Sequence, residues 1–152
     1  MQGLLDEYRR HRCPFAVAVF DIDHFKLFND THGHLAGDTV LQQFTLILQE
    51  GCRDSDVVAR YGSEEFIVVL IGTALAPAMH VARRIVAVTR LHSFHFKGQN
   101  VHITVSSGVV DATEVPGDML SADEALIDKS DQRLYRAKNE GRDRVVAWDC
   151  IE

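Results

Sequence analysis

What this sequence lacks narrows what it can be. No apolar run, 67–71 included, approaches the about 20 residues of a bilayer-spanning helix, and no charged leader precedes an apolar stretch at the start. Neither a membrane span nor a secretory signal is expected, and the chain reads as cytoplasmic, although a longer parent protein could be membrane-anchored upstream. Cysteine is scarce: Cys13, Cys52 and Cys150 are odd in number and far apart, which argues against a disulfide framework and a four-cysteine zinc site. Excess positive charge is missing too. With a formal net charge of −6, a general nucleic-acid or acidic-membrane binder is disfavoured, and any phosphate chemistry has to be local. The eight histidines, His32 and His34 among them, show no zinc-ligand spacing and read as polar surface or loop groups. No G-x-S-x-G elbow, Walker loop, internal repeat or low-complexity segment is present.

What is present suits one compact domain: 152 residues, 46% hydrophobic and 25% charged. Helical spacing over 2–12 leads to a buried strand over 15–20 that stops at a carboxylate, Asp21. Two helices follow, broken near Gly33. The β-rich runs 57–61 and 64–70 flank Gly62-Ser63, a pair that suits a two-residue type II′ hairpin turn with Gly62 at positive φ. A helix over about 76–91, a strand over 101–110, a polar surface loop over 111–118, a helix over about 121–139 closed by Gly141 and a last strand over 144–148 complete the pattern. The order is α-β-α-α-β-β-α-β-α-β.

The chemistry-bearing residues sit where this pattern breaks. Asp21 ends a buried strand, and Glu64 and Glu65 follow the hairpin turn; if the two strands are neighbours, the acids converge. Magnesium takes one or two carboxylates, a carbonyl, waters and substrate phosphates, an arrangement that serves phosphoryl or nucleotidyl transfer. Strand-end acids also simply face water, and Asp23 before a helical run reads as an N-cap. Lys26, Lys138 and Arg142 could grip phosphates, or Lys138 and Arg142 could complement a helix C-terminus. Asn29 and Asp38 could read a guanine edge, although 29–33 also reads as a plain helix end. Arg53 and Asp56, three apart, read on spacing alone as a surface ion pair.

Taken in order, Asp21-Ile-Asp-His-Phe-Lys26, Asn29-Asp30, Gly33-His34, Gly37-Asp38, Arg60-Tyr-Gly-Ser-Glu-Glu-Phe66, Leu134-Tyr-Arg-Ala-Lys138 and Gly141-Arg-Asp-Arg-Val145 resemble the GGDEF family of diguanylate cyclases over almost the whole chain. The resemblance implies an α+β fold with a central, mainly antiparallel five-stranded sheet flanked by helices, like nucleotide cyclases and polymerase palms, on a ferredoxin-like core. It implies that two GTP molecules are condensed into cyclic di-GMP across a homodimer. Asp21, the Ile22 carbonyl and Glu64 would hold Mg2+, with Mn2+ a possible substitute. Glu65 would be a further ligand or the base for the ribose 3′-hydroxyl. Lys26, Lys138 and Arg142 would bind phosphates, while Asn29 and Asp38 read guanine, with His34 near the nucleotide and Gly62 and Ser63 in the turn above it.

An Arg-x-x-Asp placed five residues before the signature is the family's product-inhibition site, which implies feedback by cyclic di-GMP at Arg53 and Asp56, with Arg84 as a second contact. Two departures are visible. The family has Gly at the place of Ser63, in a turn above the substrate where a side chain could crowd the nucleotide or force strain, though the turn backbone tolerates Ser. The family's opening Asp-x-Leu-Thr-Gly-Leu-x-Asn-Arg segment is absent, so residues 1–152 are expected to be a single catalytic domain without its N-terminal sensory or receiver partner. The alternative is a GGDEF module that has lost turnover and senses GTP or cyclic di-GMP.

Overall fold

A computed structural model describes residues 2–115 and 122–148. The elements run α1 (Gln2–His11), β1 (Phe15–Ile22), α2 (Phe25–His32), α3 (His34–Gly51), β2 (Val57–Arg60), β3 (Glu65–Ile71), α4 (Leu75–Leu91), β4 (Phe94–Phe96), β5 (Gln99–Val101), β6 (Val105–Asp111), α5 (Ala122–Asn139) and β7 (Val145–Val146). Five strands form one sheet in the order β2-β3-β1-β6-β7, antiparallel except for the β6–β7 pair. This is the mainly antiparallel, helix-flanked sheet expected from the sequence. No helix among the described residues is long and apolar enough to cross a membrane.

β1 lies in the middle and is buried at every position, which is why it reads as an unbroken apolar run rather than an alternating one. Side chains still alternate between the two faces. Ala16, Ala18, Phe20 and Ile22 join Phe66, Val68 and Leu70 of β3 in a core with α3 and α4. Phe15 and Val17 join Val69 in a second core with Leu5 of α1 and Leu126 of α5. By this parity Asp21 and its cross-strand partner Glu65 both belong to the α5 face.

One glycine sets how close α5 lies. A Cβ on Gly108 of β6 would stand 2.1 Å from the Ser130 carbonyl oxygen and 2.4 Å from the Leu134 nitrogen, so only glycine lets the helix backbone rest on the strand. Ser130 Oγ donates to the Gly108 oxygen (2.8 Å) and buried Arg133 donates to the Val109 oxygen (2.6 Å), fixing the helix there.

Two local expectations are corrected, and one hairpin is added. The strand expected over 101–110 is two strands: β5 ends at Val101, and the chain turns aside over 102–104 because Thr104 serves the exit of β1, its carbonyl accepting from Asp23 N–H at 2.9 Å. β5 pairs instead with β4 in an unforeseen hairpin whose turn residues, Lys97 (φ 47°) and Gly98 (φ 77°), are both left-handed, as a primed turn requires. The stretch after β6 is not a plain surface loop in its described part. Asp111 is buried and caps a 3-10 turn, Ala112–Glu114, accepting from Thr113 N–H (3.0 Å) and from Leu75 N–H (2.8 Å). Residues 116–118, the expected helix start at 121 and Cys150 lie outside the described residues.

Candidate active site

Cross-strand register places Asp21 opposite Glu65, and Ile22 N–H donates to the Glu64 carbonyl oxygen at 3.2 Å, so the acids on either side of the signature turn do meet at one end of the sheet. α5 supplies the cation: Lys138 Nζ lies 3.2 Å from Asp21 Oδ1. That oxygen is buried and has no hydrogen bond of regular geometry besides this ion pair. Burial pushes the Asp21 carboxyl up to about 6; Lys138 opposes the rise, while Glu64 and Glu65 add to it. Strand-end acids facing water is therefore the wrong description of Asp21. α5 also brings Asp131, two turns before Lys138, toward Glu65: burial raises the Asp131 carboxyl, and the charges of Glu65 and Asp128 raise it further. Sequence reading passed over Asp131, although its spacing of seven from Lys138 puts both on one helix stripe.

The turn between β2 and β3 differs from the expected two-residue type II′ form. Arg60 pairs with Phe66, and Tyr61 N–H and Gly62 N–H both donate to the Glu65 oxygen (2.8 and 3.2 Å), leaving residues 62–64 as the loop. Gly62 does not take positive φ, because one more loop residue relieves the constraint that makes glycine necessary in a II′ turn. Arg60 braces the loop from below, its guanidinium donating to the carbonyls of Gly62 (3.0 Å) and Ser63 (2.6 Å). The Ser63 hydroxyl donates to Glu64 Oε2 at 2.5 Å. The departure from glycine thus places a hydrogen-bond donor on one of the candidate metal ligands.

At the α2–α3 junction, Asn29 packs against α3 where Gly37 lacks a side chain; a Cβ there would fall 1.9 Å from Asn29 Oδ1, a buried oxygen without a hydrogen-bond partner. Asp38 follows, exposed, and shares a cleft of about 220 Å³ with Gln42, Arg60 and Phe66. Lys26 and His34 are exposed on the first turns of α2 and α3; the cation that reaches Asp21 is Lys138.

Asp23 is neither an N-cap nor a solvent-facing acid. Helix α2 starts behind His24, which is left-handed at φ 54° and makes no side-chain cap, and Asp23 turns inward instead. Its carboxylate accepts from Thr104 Oγ1 (2.7 Å), Ser106 Oγ (2.6 Å) and Asp143 N–H (3.1 Å). Asp143 follows Arg142, whose Nε is buried without a hydrogen-bond partner.

Arg53 and Asp56 are more than a surface pair. The Asp56 side chain is only 2% exposed; it accepts from Ile71 N–H (3.0 Å) and Arg53 N–H (2.8 Å), and Arg53 Nε stands 3.7 Å away. The Arg53 guanidinium donates to the Ile71 oxygen (2.7 Å) and to Thr73 Oγ1 (2.9 Å). With Arg84, they line a cleft of about 400 Å³ between the end of β3, at Leu70 and Gly72, and α4, at Pro77 and Val81.

The donors at the end of the sheet fit a hard divalent cation. They are carboxylates and a carbonyl, the oxygen ligands that magnesium and manganese prefer; burial chiefly, and the charges of Glu64 and Glu65 to a lesser degree, raise the Asp21 carboxyl, and a bound cation would favour its ionised form. No group of three or more His, Cys, Asp or Glu side chains among the described residues could hold a metal alone.

A family model described as "Diguanylate cyclase, GGDEF domain" matches residues 1–144. The chain is 45% identical over 139 residues to diguanylate cyclase DgcP of Pseudomonas aeruginosa, covering 90% of this chain and 20% of that protein. It is 41% identical over 139 residues to response regulator PleD of Caulobacter vibrioides, covering 88% and 29%. The chain therefore spans less than a third of the length of either. Among solved structures, the active GGEEF domain of a diguanylate cyclase from Vibrio cholerae superposes with a TM-score of 0.87 at 37% identity, covering 98% of this chain and 92% of that one. The GGDEF domain of DgcB from Caulobacter crescentus, in complex with c-di-GMP, gives 0.87 at 30% identity, covering 95% and 84%. Register, site geometry and these likenesses agree, and the chain belongs to the GGDEF family of diguanylate cyclase domains.

Proposed function

We propose that this chain condenses two GTP molecules into cyclic di-GMP and two diphosphates, each ribose 3′-oxygen forming a bond to the other nucleotide's α-phosphorus as the α–β phosphoanhydride breaks. The observation that carries this reading is Asp21 facing Glu65 across the β1–β3 register with Lys138 on the same face. Magnesium, held by Asp21, Glu64 and the Ile22 carbonyl, would neutralise charge on the triphosphate. Lys138 and Arg142 bind phosphate oxygens, and Lys26 is long enough and exposed enough to join them. Glu65 accepts the 3′-hydroxyl proton, while Asn29 and Asp38 select guanine, with His34 beside the nucleotide. One domain holds one nucleotide, so two copies related by a two-fold axis are needed to bring both reacting pairs together. Cyclic di-GMP, seated on Arg53, Asp56 and Arg84, feeds back as an inhibitor.

The test is incubation of a version fused to a dimerising coiled coil with GTP and magnesium, the product being identified by mass. Cyclic di-GMP is expected, and Glu64→Ala is expected to make none. One observation favours a second reading: the Ser63 hydroxyl occupies Glu64 Oε2, which suits a module that binds nucleotide without turning it over. A dimerised protein that is inert toward GTP and still binds cyclic di-GMP would establish that second reading instead.

A further inference from the structure

We propose that Asp23 is a positioning residue that sets the place of Arg142, and through it the grip on the substrate phosphates; this rests on the reading of Arg142 as a phosphate ligand. The segment after α5 has a backbone that needs holding. Gly141, Arg142 and Asp143 are left-handed in succession (φ 123°, 64° and 51°), and a side-chain-bearing residue in that region costs about 1 kcal/mol or more. Arg142 N–H closes the helix end on the Ala137 oxygen (2.9 Å), and Arg90 of α4 reaches Asp143 Oδ2 at 2.6 Å. The link to the catalytic end of β1 is Asp23, which receives the Asp143 N–H.

Asp23 suits that task because it is itself fixed. It is 5% exposed, its own N–H is held by the Thr104 oxygen, and the Thr104 and Ser106 hydroxyls complete its carboxylate. A carboxylate buried this deeply is tolerated only when its oxygens are answered. Loss of the carboxylate frees the Asp143 N–H and lets the left-handed segment relax. The Arg142 side chain would move with it, since its buried Nε has no hydrogen-bond partner and the residue is otherwise held by its backbone N–H on the Ala137 oxygen. Asp23 touches no reactant in this scheme. Asn at the same place can accept from Thr104 and Asp143 through its oxygen and donate to a turned Ser106 hydroxyl.

The test uses this chain with magnesium and 3′-deoxy-GTP, which lacks the attacking hydroxyl and so reports binding alone. Asp23→Ala is expected to weaken binding about tenfold, and Asp23→Asn to restore it to within about twofold. In an Arg142→Ala background, Asp23→Ala should add less than about twofold, because the two act as one unit. Losses that multiply, or an Asp23→Ala protein that binds normally, overturn the proposal. If Asp23→Ala fails to fold by circular dichroism, Thr104→Val, which removes one of the donors that seat Asp23, is read in the same cycle with a smaller expected loss. Arg142→Ala binding normally would sink the phosphate role and this inference together; a weakened Arg142→Ala with multiplying losses sinks this inference alone.

Discussion

Lys138 Nζ lies 3.2 Å from Asp21 Oδ1, joining the last turns of α5 to the end of the central strand. The pair is unequal: burial outweighs the ammonium, so the Asp21 carboxyl still stands at about 6, above its ordinary 3.8.

A pH dependence follows for the metal-free protein. The folded chain holds the Asp21 proton more tightly than the unfolded chain. The stability linked to this group is therefore complete below about pH 4 and is lost as pH rises through about 6. Chemical denaturation across that window should show the native protein losing up to about 3 kcal/mol relative to Asp21→Asn. Identical pH slopes in the two proteins would mean that Asp21 ionises in the ordinary carboxylate range.

Ser63→Gly removes the hydroxyl from Glu64 Oε2. We expect the variant to need less magnesium for half-maximal turnover and to run up to about fivefold faster, the equivalent of one net hydrogen bond of about 1 kcal/mol. A magnesium titration of the cyclase rate decides it. A slower variant would make Ser63 a supporting partner of its neighbour.

Gly108→Ala forces a methyl group into the α5 backbone. Urea melts should register a loss of about 1–3 kcal/mol, as overpacking costs. Turnover, measured where the variant is still folded, should fall as Lys138 is carried away from Asp21. Native stability and rate would show that the helix backbone has room to spare.

In the cleft shared with Arg84, Arg53 and Asp56 should part company. Arg53→Ala should abolish feedback by cyclic di-GMP while leaving the initial rate unchanged, at a cost in the melt of up to about 1 kcal/mol as the hydrogen bonds to the Ile71 oxygen and Thr73 Oγ1 are lost. Asp56→Ala also strands the amides of Ile71 and Arg53, so it should cost about 1–3 kcal/mol in addition. Titrating cyclic di-GMP into the initial-rate assay, with melts of both variants, checks this. Undiminished inhibition of Arg53→Ala would place the product elsewhere.

Much of this was legible in the chain. Five strands and their flanking helices follow from the apolar runs and their breaks, whereas the meeting of Asp21 with Glu65 depends on the two strands being neighbours, which the register supplies. Other features depend on partners distant in sequence. Asp23 looked like a cap because a cap is decided by the next three residues, whereas its true donors are Thr104, Ser106 and Asp143. At 62–64, Gly-Ser permits a II′ turn without requiring one, and the register of Arg60 with Phe66 decides the loop length. The β4–β5 hairpin escaped notice because Lys97 adopts a left-handed turn without the usual Asn or Asp signal.

The alternation along β1 has one more consequence. Even-numbered residues fill the core under α3 and α4, and odd-numbered Asp21 looks toward Lys138. A slip of one residue in pairing would push Phe20 under the lysine and drive a carboxylate among phenylalanines. Strand register therefore ties packing to chemistry: a molecule that has buried Phe20 and Phe66 correctly has already aimed Asp21 and its partner Glu65.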